Sequence, residues 1–374
     1  MTDPVIPAYG SGTLADLLPS IGFQLGLAGA EDRLGLPSAD RYVVLLIDGL
    51  GWEQRDHWAG VAPFLSGLAA DARPPITSGV PSTTATSITS LGTGLTPGQH
   101  GVAGYSFRYP PDGRVLNTLQ WPSDIHGLDV QPQLTYLERL AGAGIRTASV
   151  GPARFAGSGL TTVALRDPHF LGVADEDDHE TRIALTSGAS AGAERSLVYS
   201  YERSLDHTGH SQGVGSPAWL AALARCDEFA AGLRAALPAQ TRLVITGDHG
   251  MVNVPTDARV VVEDEPGLLS GVAALAGEGR LRQLYARRGR SDEVLARWQD
   301  RLGDQAWVVS REEAFAAGWF GPRNPRVADR FGDVLVAMHG PGAVMSRRLP
   351  KELGLVGMHG SLTAAEMFVP LLVC

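Results

Sequence analysis

The chain has 374 residues, 44% of them hydrophobic, enough for one large α/β domain with an insertion or for two domains. Its formal charge of −9 at pH 7 argues against a protein that tracks nucleic-acid backbone, which needs concentrated positive charge, while a small anionic substrate stays compatible if bound divalent cations reverse the local field. Two cysteines, Cys226 and Cys374, make no disulfide framework, Met1 to Pro7 has no signal-peptide character, and no stretch nears the ~18 apolar residues of a membrane span; the expectation is a soluble, cytoplasmic protein.

Residues 1 to 39 read as an irregular lead-in with one short helix, Thr13 to Leu18, stopped by Pro19. The first strand, 42–47, is fully apolar and ends on Asp48; the Gly49-Leu50-Gly51 turn after it lets a ligand or metal come close to the backbone. Helical spacing covers Pro63 to Ala72. Next, Pro81-Ser82-Thr83-Thr84-Ala85-Thr86-Ser87 reads as a hydroxyl-rich loop feeding a helix that runs to Thr93-Gly94. One Thr hydroxyl can then lie where free backbone N–H groups meet the positive end of the helix dipole. From Thr96 to Trp121 glycine, proline and aromatic residues dominate without periodicity, which favours an ordered, functional loop.

A helix over about 133–141 and a strand over 146–150 follow. The strand 196–201 precedes Asp206 and His210, and the strand 242–247 precedes Asp248-His249. Between them, Trp219, Leu220, Leu223, Cys226, Phe229, Ala230 and Leu233 recur at helical spacing, so 216–236 is an amphipathic helix with Cys226 a small buried hydrophobe. The arginine-rich segment 258–330 alternates short β runs (260–262, 281–286, 306–309) with a helix near 291–302. It reads as a small α/β subdomain on the rim, inserted into a core of 1–257 and 331–374 to which the chain returns at Asp333 to Met338. His359, in Gly357-Met358-His359-Gly360, precedes a last helix and strand.

Apolar strands alternating with amphipathic helices predict a doubly wound, mainly parallel sheet with helices on both faces. Ligands of such a sheet gather beyond the carboxyl ends of its strands, where Asp48, Asp206, His210, Asp248, His249 and His359 fall. Three carboxylates and three imidazoles suit a metal centre, and a metal is one of the few devices that turns a Thr hydroxyl into a nucleophile. His57, His126, His169, His179, His207 and His339 read as ordinary surface or core residues, and His100 as a turn residue or a support for the ligands.

Asp48 after its strand, the Thr-rich loop with Thr93-Gly94-Leu95, Pro97 and His100-Gly101-Val102, Asp206-His207-Thr208-Gly209-His210, Gly247-Asp248-His249-Gly250-Met251 and Met358-His359-Gly360 resemble the nucleotide pyrophosphatase/phosphodiesterase branch of the alkaline phosphatase superfamily over about residues 42 to 372. The resemblance implies two zinc ions, with manganese or iron as other occupants. Asp206, His210 and His359 would hold one; Asp48, Asp248 and His249 the other, together with the Thr84 oxygen. It also implies an attack by Thr84 on phosphorus, a phosphothreonine, and its hydrolysis. Thr84 is chosen over Thr83 and Thr86 because the family's nucleophile lies nine residues before the Thr-Gly pair. The family places an Asn where this chain has Ser87, and usually an aromatic residue where it has Ala85. No Arg lies between Pro74 and Phe107, where phosphatases of the superfamily meet a monoester's extra charge. Phosphodiester or pyrophosphate hydrolysis is therefore expected, a small or lipid-like leaving group ranking equal to a nucleotide because Ala85 offers no stacking face, with Tyr105, Phe107, Tyr109 or Trp121 walling the second group and Ser87 contacting the phosphoryl oxygen. Phosphonoacetate hydrolysis, phosphomonoester hydrolysis and a zinc-retaining binding protein are the alternatives.

Overall fold

The strands that position the site are β1 (Arg41–Ile47), β2 (Arg146–Pro152), β3 (Phe170–Val173), β4 (Ser196–Glu202), β5 (Thr241–Thr246), β6 (Val272–Glu278), β7 (Leu281–Ala286), β8 (Ala306–Ser310), β9 (Val334–Met338) and β10 (Leu372–Val373). The structure is a computed structural model describing residues 3–68, 73–166 and 169–374; residues 69–72, the tail of the expected 63–72 helix, lie outside the described residues. Six strands form the central sheet in the order β10-β5-β1-β4-β2-β3, parallel throughout except where β10 runs against β5. β1 shows why its sequence is apolar at every position. Side chains alternate across a strand, so Tyr42, Val44 and Leu46 enter one hydrophobic cluster while Val43, Leu45 and Ile47 enter the other.

The helices α1 (Leu17–Gln24), α2 (Thr84–Thr93), α3 (Pro217–Ala236) and α4 (Ser291–Leu302) add their apolar faces to these clusters or to that of a second sheet. Pro19 does not stop the first helix. It lies in the first turn of α1, where a missing N–H leaves no helical hydrogen bond unmade. α2 starts at Thr84 behind an extended Thr83 and stops at Gly94, whose φ of 69° is left-handed. A Cβ at Gly94 would also come within 2.5 Å of Tyr136, so both conformation and space call for glycine there. α3 is capped by the Ser216 hydroxyl, which accepts from the Trp219 N–H at 3.2 Å, and buries Trp219, Leu223, Cys226, Phe229 and Leu233 against the sheet.

The second sheet has the order β6-β7-β9-β8 and is antiparallel. β9, expected as the chain's return to the core, is an inner strand of this second sheet, which therefore extends past residue 330. Its alternation joins two layers: Val334, Val336 and Met338 pack with Val294, Trp298 and Leu302 of α4, while Leu335 and Ala337 enter the main cluster. Two arginines of the 258–330 segment, Arg280 and Arg282, are buried. Arg280 reaches Glu366 at 2.7 Å and Arg282 pairs with Glu352. The aperiodic 96–121 stretch is ordered too: it holds a helical turn, Pro97–His100, and a hairpin of Ser106–Arg108 with Val115–Asn117. Among the described residues no helix is long and apolar enough to cross a membrane.

Candidate active site

Parallel strands deliver their carboxyl ends to one edge, and the polar residues just beyond those ends meet there. Asp48 follows β1, Asp206 and His210 lie on the helix Ser204–Gln212 behind β4, and Asp248-His249 follow β5. His359 arrives from the opposite end of the chain, after a two-residue strand Gly357–Met358 that pairs with Val252–Asn253 behind His249. Thr84 enters from the side as the first residue of α2. Its hydroxyl is 3.2 Å from His249 Nε2 and 3.4 Å from Asp48 Oδ1.

Each imidazole is fixed by its other nitrogen. Nδ1 of His210 donates to the Gly357 carbonyl at 2.8 Å, that of His249 to Gly250 at 3.0 Å, and that of His359 to Ser82 at 2.9 Å. With the proton on Nδ1, all three Nε2 lone pairs face the cluster, the tautomer a metal ligand needs. Nε2 of His210 and of His359 lie 3.3 Å apart, with Asp206 Oδ1 at 3.4 and 3.7 Å from them. Lone pairs facing each other at that distance repel unless a cation lies between.

Burial first, then the neighbouring rings of His249 and His210, hold the His359 pKa well below its ordinary 6.5, so the ring is neutral. Burial, then the charges of Asp248 and Asp206, push the Asp48 carboxyl well above the usual range. Asp206 Oδ1 and Asp248 Oδ2 are buried with no hydrogen-bond donor among the described residues. Such crowding of carboxylates is unfavourable alone and is relieved by divalent cations. The donor set therefore fits metal. Ligand atoms of Asp206, His210 and His359 lie within 4.8 Å of one another, as do those of Asp48, Asp206 and His249; Asp248 Oδ2 is 3.5 Å from His249 Nε2.

Thr84 is shared by two cavities. One, of about 410 Å³, is bordered by Asp48, Asp206, His210, His359, Tyr105, Glu278, Arg154, Arg203 and Lys351. The other, of about 490 Å³, is walled by Trp121, Phe155, Phe170 and Tyr201, the Phe155 and Tyr201 rings bordering both. Tyr105 and Trp121 thus stand where a substrate wall was expected. Phe107 and Tyr109 do not: both pack in the main hydrophobic cluster, because alternation in the hairpin strand turns Phe107 inward. Ser87 lines neither cavity; its hydroxyl is buried on α2 without a partner among the described residues.

Several site residues escaped the sequence reading. The Tyr201 hydroxyl donates a short hydrogen bond to Asp48 Oδ2, and burial, then the Asp48 charge, keep that phenol protonated. Tyr199 and Tyr201 alternate along β4 toward Asp206, a signal that could have placed both on the face of the site. Arg154 and Arg203, which share the carboxylate of Glu176, carried no signal, since nothing in sequence ties them to Thr84.

The sequence profile of the family "Type I phosphodiesterase / nucleotide pyrophosphatase" matches residues 42–362. No curated protein matches the sequence. Among solved structures, murine ectonucleotide pyrophosphatase / phosphodiesterase 5 superposes with a TM-score of 0.72 at 18% identity, covering 89% of this chain and 87% of that one. An inactive Thr-to-Ala variant of that protein in complex with AMP matches at 0.72 and 17%, covering 89% and 87%. Phosphonoacetate hydrolase from Sinorhizobium meliloti 1021, in complex with phosphonoformate, matches with a TM-score of 0.68 at 18% identity, covering 90% of each chain. These likenesses show a shared fold, with a mostly parallel central sheet flanked by helices.

Proposed function

The chain belongs to the type I phosphodiesterase / nucleotide pyrophosphatase family, and from that premise we propose that it is a two-metal hydrolase that cleaves small phosphodiesters or pyrophosphates through a phosphothreonine at Thr84. The observation that carries this reading is a cluster of three imidazoles and three carboxylates, two members of which, His249 Nε2 and Asp48, lie 3.2 and 3.4 Å from the Thr84 hydroxyl at a helix start. Asp206, His210 and His359 would hold one cation, and Asp48, Asp248 and His249 the other. Two such ions, zinc being best matched to imidazole with carboxylate, lower the pKa of a bound hydroxyl and neutralise the charge on phosphorus oxygens.

The chain's own residues do the rest. Thr84 Oγ1 points at Asp48 and His249 and forms the new P–O bond as the ester P–O bond breaks. Thr84 gives up its hydroxyl proton to solvent, the departing oxygen takes one from solvent, and water later cleaves the phosphothreonine, restoring the Thr84 hydroxyl and releasing the phosphate product. Tyr201 holds Asp48 in orientation. The start of α2 offers free N–H groups and its positive dipole end to the negative phosphoryl group.

One observation supports a second reading. Arg154, Arg203 and Lys351 border the cavity that contains the metal residues, so the positive charge missing around Thr84 in sequence is supplied from elsewhere in space. A substrate with a second anionic group, as in a phosphonate carboxylate or a monoester, would find partners there. The test compares kcat/KM for bis-p-nitrophenyl phosphate, p-nitrophenyl phosphate and phosphonoacetate on protein purified without chelator, with metal counted by elemental analysis. The diesterase reading expects close to two ions per chain and the diester preferred; a monoester or phosphonoacetate preference of ~10-fold or more would replace it.

A further inference from the structure

Asp206 and His210 share one face of the helix Ser204–Gln212, and that helix has little packing of its own: of its 9 residues only Leu205 and Gly209 are buried. Its first turn is fixed from outside. Arg203, at the N-cap position, makes no side-chain cap; the carboxylate one residue earlier supplies it, Glu202 Oε1 accepting from the Ser204 N–H at 2.8 Å. A carboxylate there also meets the positive end of the helix dipole. The backbone of the same residue reaches the other group of ligands. The Glu202 carbonyl accepts from the Asp48 N–H at 2.8 Å, and the Asp48 carbonyl from the Asp206 N–H at 3.1 Å.

Glu202 is in turn held by Arg182, on the helix His179–Ala191, in an ion pair whose side chains are 2% and 1% exposed. His179 Nε2 lies 3.6 Å from the same Glu202 oxygen. Arg182 also donates to the Glu176 carbonyl at 2.5 Å, and its guanidinium lies over the Phe229 ring of α3, 5.2 Å from the ring centre. Taking two charges out of water costs several kcal/mol per ion, and an apolar pair of similar volume often serves stability as well or better. An apolar pair has no oxygen for the Ser204 N–H. What the buried charges supply here is a fixed direction for the start of the helix that carries Asp206 and His210.

We propose that Glu202, braced by Arg182, is the positioning residue of the Asp206, His210 and His359 site, and that without its side chain this site binds its ion more weakly while the Asp48, Asp248 and His249 site binds as before. The two arms of Glu202 differ in this respect. Its carbonyl survives any substitution, so Asp48 stays anchored; its carboxylate alone orients the turn that leads to Asp206 and His210. The far end of the helix is tied independently, the Val356 N–H donating to the His210 carbonyl at 2.8 Å, so loss of the near anchor frees the start of the helix against a held end. The inference rests on the two-metal reading of the site, and its test separates the two.

The test titrates zinc against a chromophoric chelator. The Arg182→Met/Glu202→Leu double variant removes both charges and leaves neither unpaired, so after chelation it should melt within a few degrees of the chelated parent. It should hold one zinc as the parent does and the other at least ~10-fold more weakly. Single-site backgrounds identify which: in Asp248→Ala the double substitution should weaken the remaining ion, and in Asp206→Ala it should leave the remaining ion unchanged. Glu202→Gln, which keeps an oxygen for the Ser204 N–H, should fall between parent and double variant, and it decides the matter if the double variant does not fold. Both ions held as in the parent, or both weakened alike, overturns the positioning role. A parent that holds one zinc overturns the two-metal reading, and the positioning role then stands or falls with the double variant's affinity for that ion; a parent that holds none overturns both.

Discussion

A threonine hydroxyl attacks only when something withdraws its proton, and Thr84 has one candidate device within reach: cations held by Asp48, Asp248 and His249. Thr84→Ala removes a half-buried hydroxyl and no packed group, so fold and metal content should persist while kcat falls by at least ~10³-fold; Thr84→Ser should retain part of the rate. If Thr83→Ala is the inactive variant instead, the nucleophile is one residue earlier. His100 gives a pH prediction. Its Nδ1 accepts from Val102 N–H at 3.0 Å and its Nε2–H faces Ser90 Oγ at 2.9 Å, both in the interior. Burial, then Arg330, depress its pKa from 6.5 to about 3. The folded protein thus refuses a proton that the unfolded chain takes below 6.5, so this contribution to stability is complete above 6.5 and fades as pH falls toward 3. Urea midpoints measured from pH 7 to pH 4 should fall less steeply in His100→Gln than in the parent.

At the scale of elements, the residue before β7 ties the second sheet to the helix Ala364–Met367 near the C-terminus through charge. Arg280, just before β7, makes two bonds to the Glu366 carboxylate and also donates to the carbonyls of Met338, Gly340 and Gly342. Both partners are essentially inaccessible to solvent, so Arg280→Met should cost about 3–5 kcal/mol by leaving a buried carboxylate without its cation. Adding Glu366→Met should recover only part of that, since the Gly340 and Gly342 carbonyls lose the guanidinium that donates to them; a loss under about 1 kcal/mol in chemical denaturation would mean that water reaches the pair. This junction also explains what could be read beforehand. β1, β4 and β5 were legible because burial on both faces demands continuous apolar runs, and Asp48 and Asp248-His249 stood out because each directly follows such a run beside a glycine. β3, α1 past Pro19 and the place of β9 were not: a four-residue edge strand has no pattern of its own, and β9 is as apolar as a central strand because both its faces are covered. The burial of Arg280 and Arg282 was not legible, because sequence shows the charge and not the distant glutamates that match it.

For the whole molecule, binding and folding are one equilibrium if the cluster holds metal, because the unfolded chain has no such site. Chelation should abolish activity and lower the melting temperature together, and stoichiometric zinc should restore both; full activity after exhaustive chelation would eliminate the metal centre. The cavities were the least legible feature of all. Their walls are gathered from segments as far apart as Asp48, the stretch 105–170, Glu278 and Lys351, so no local spacing announces them. The ring of backbone carbonyls that orients the three imidazoles is drawn from Ser82, Gly250 and Gly357, and the side chains it serves begin at Asp48 and end at His359. A ribosome must therefore add roughly 300 residues after Asp48 before the last imidazole emerges, about 15 to 60 s at ordinary translation speeds. During that time the nascent chain lacks one of the three imidazoles, so, if the cluster holds two ions as proposed, chains abandoned before residue 359 would lack the complete Asp206, His210 and His359 set.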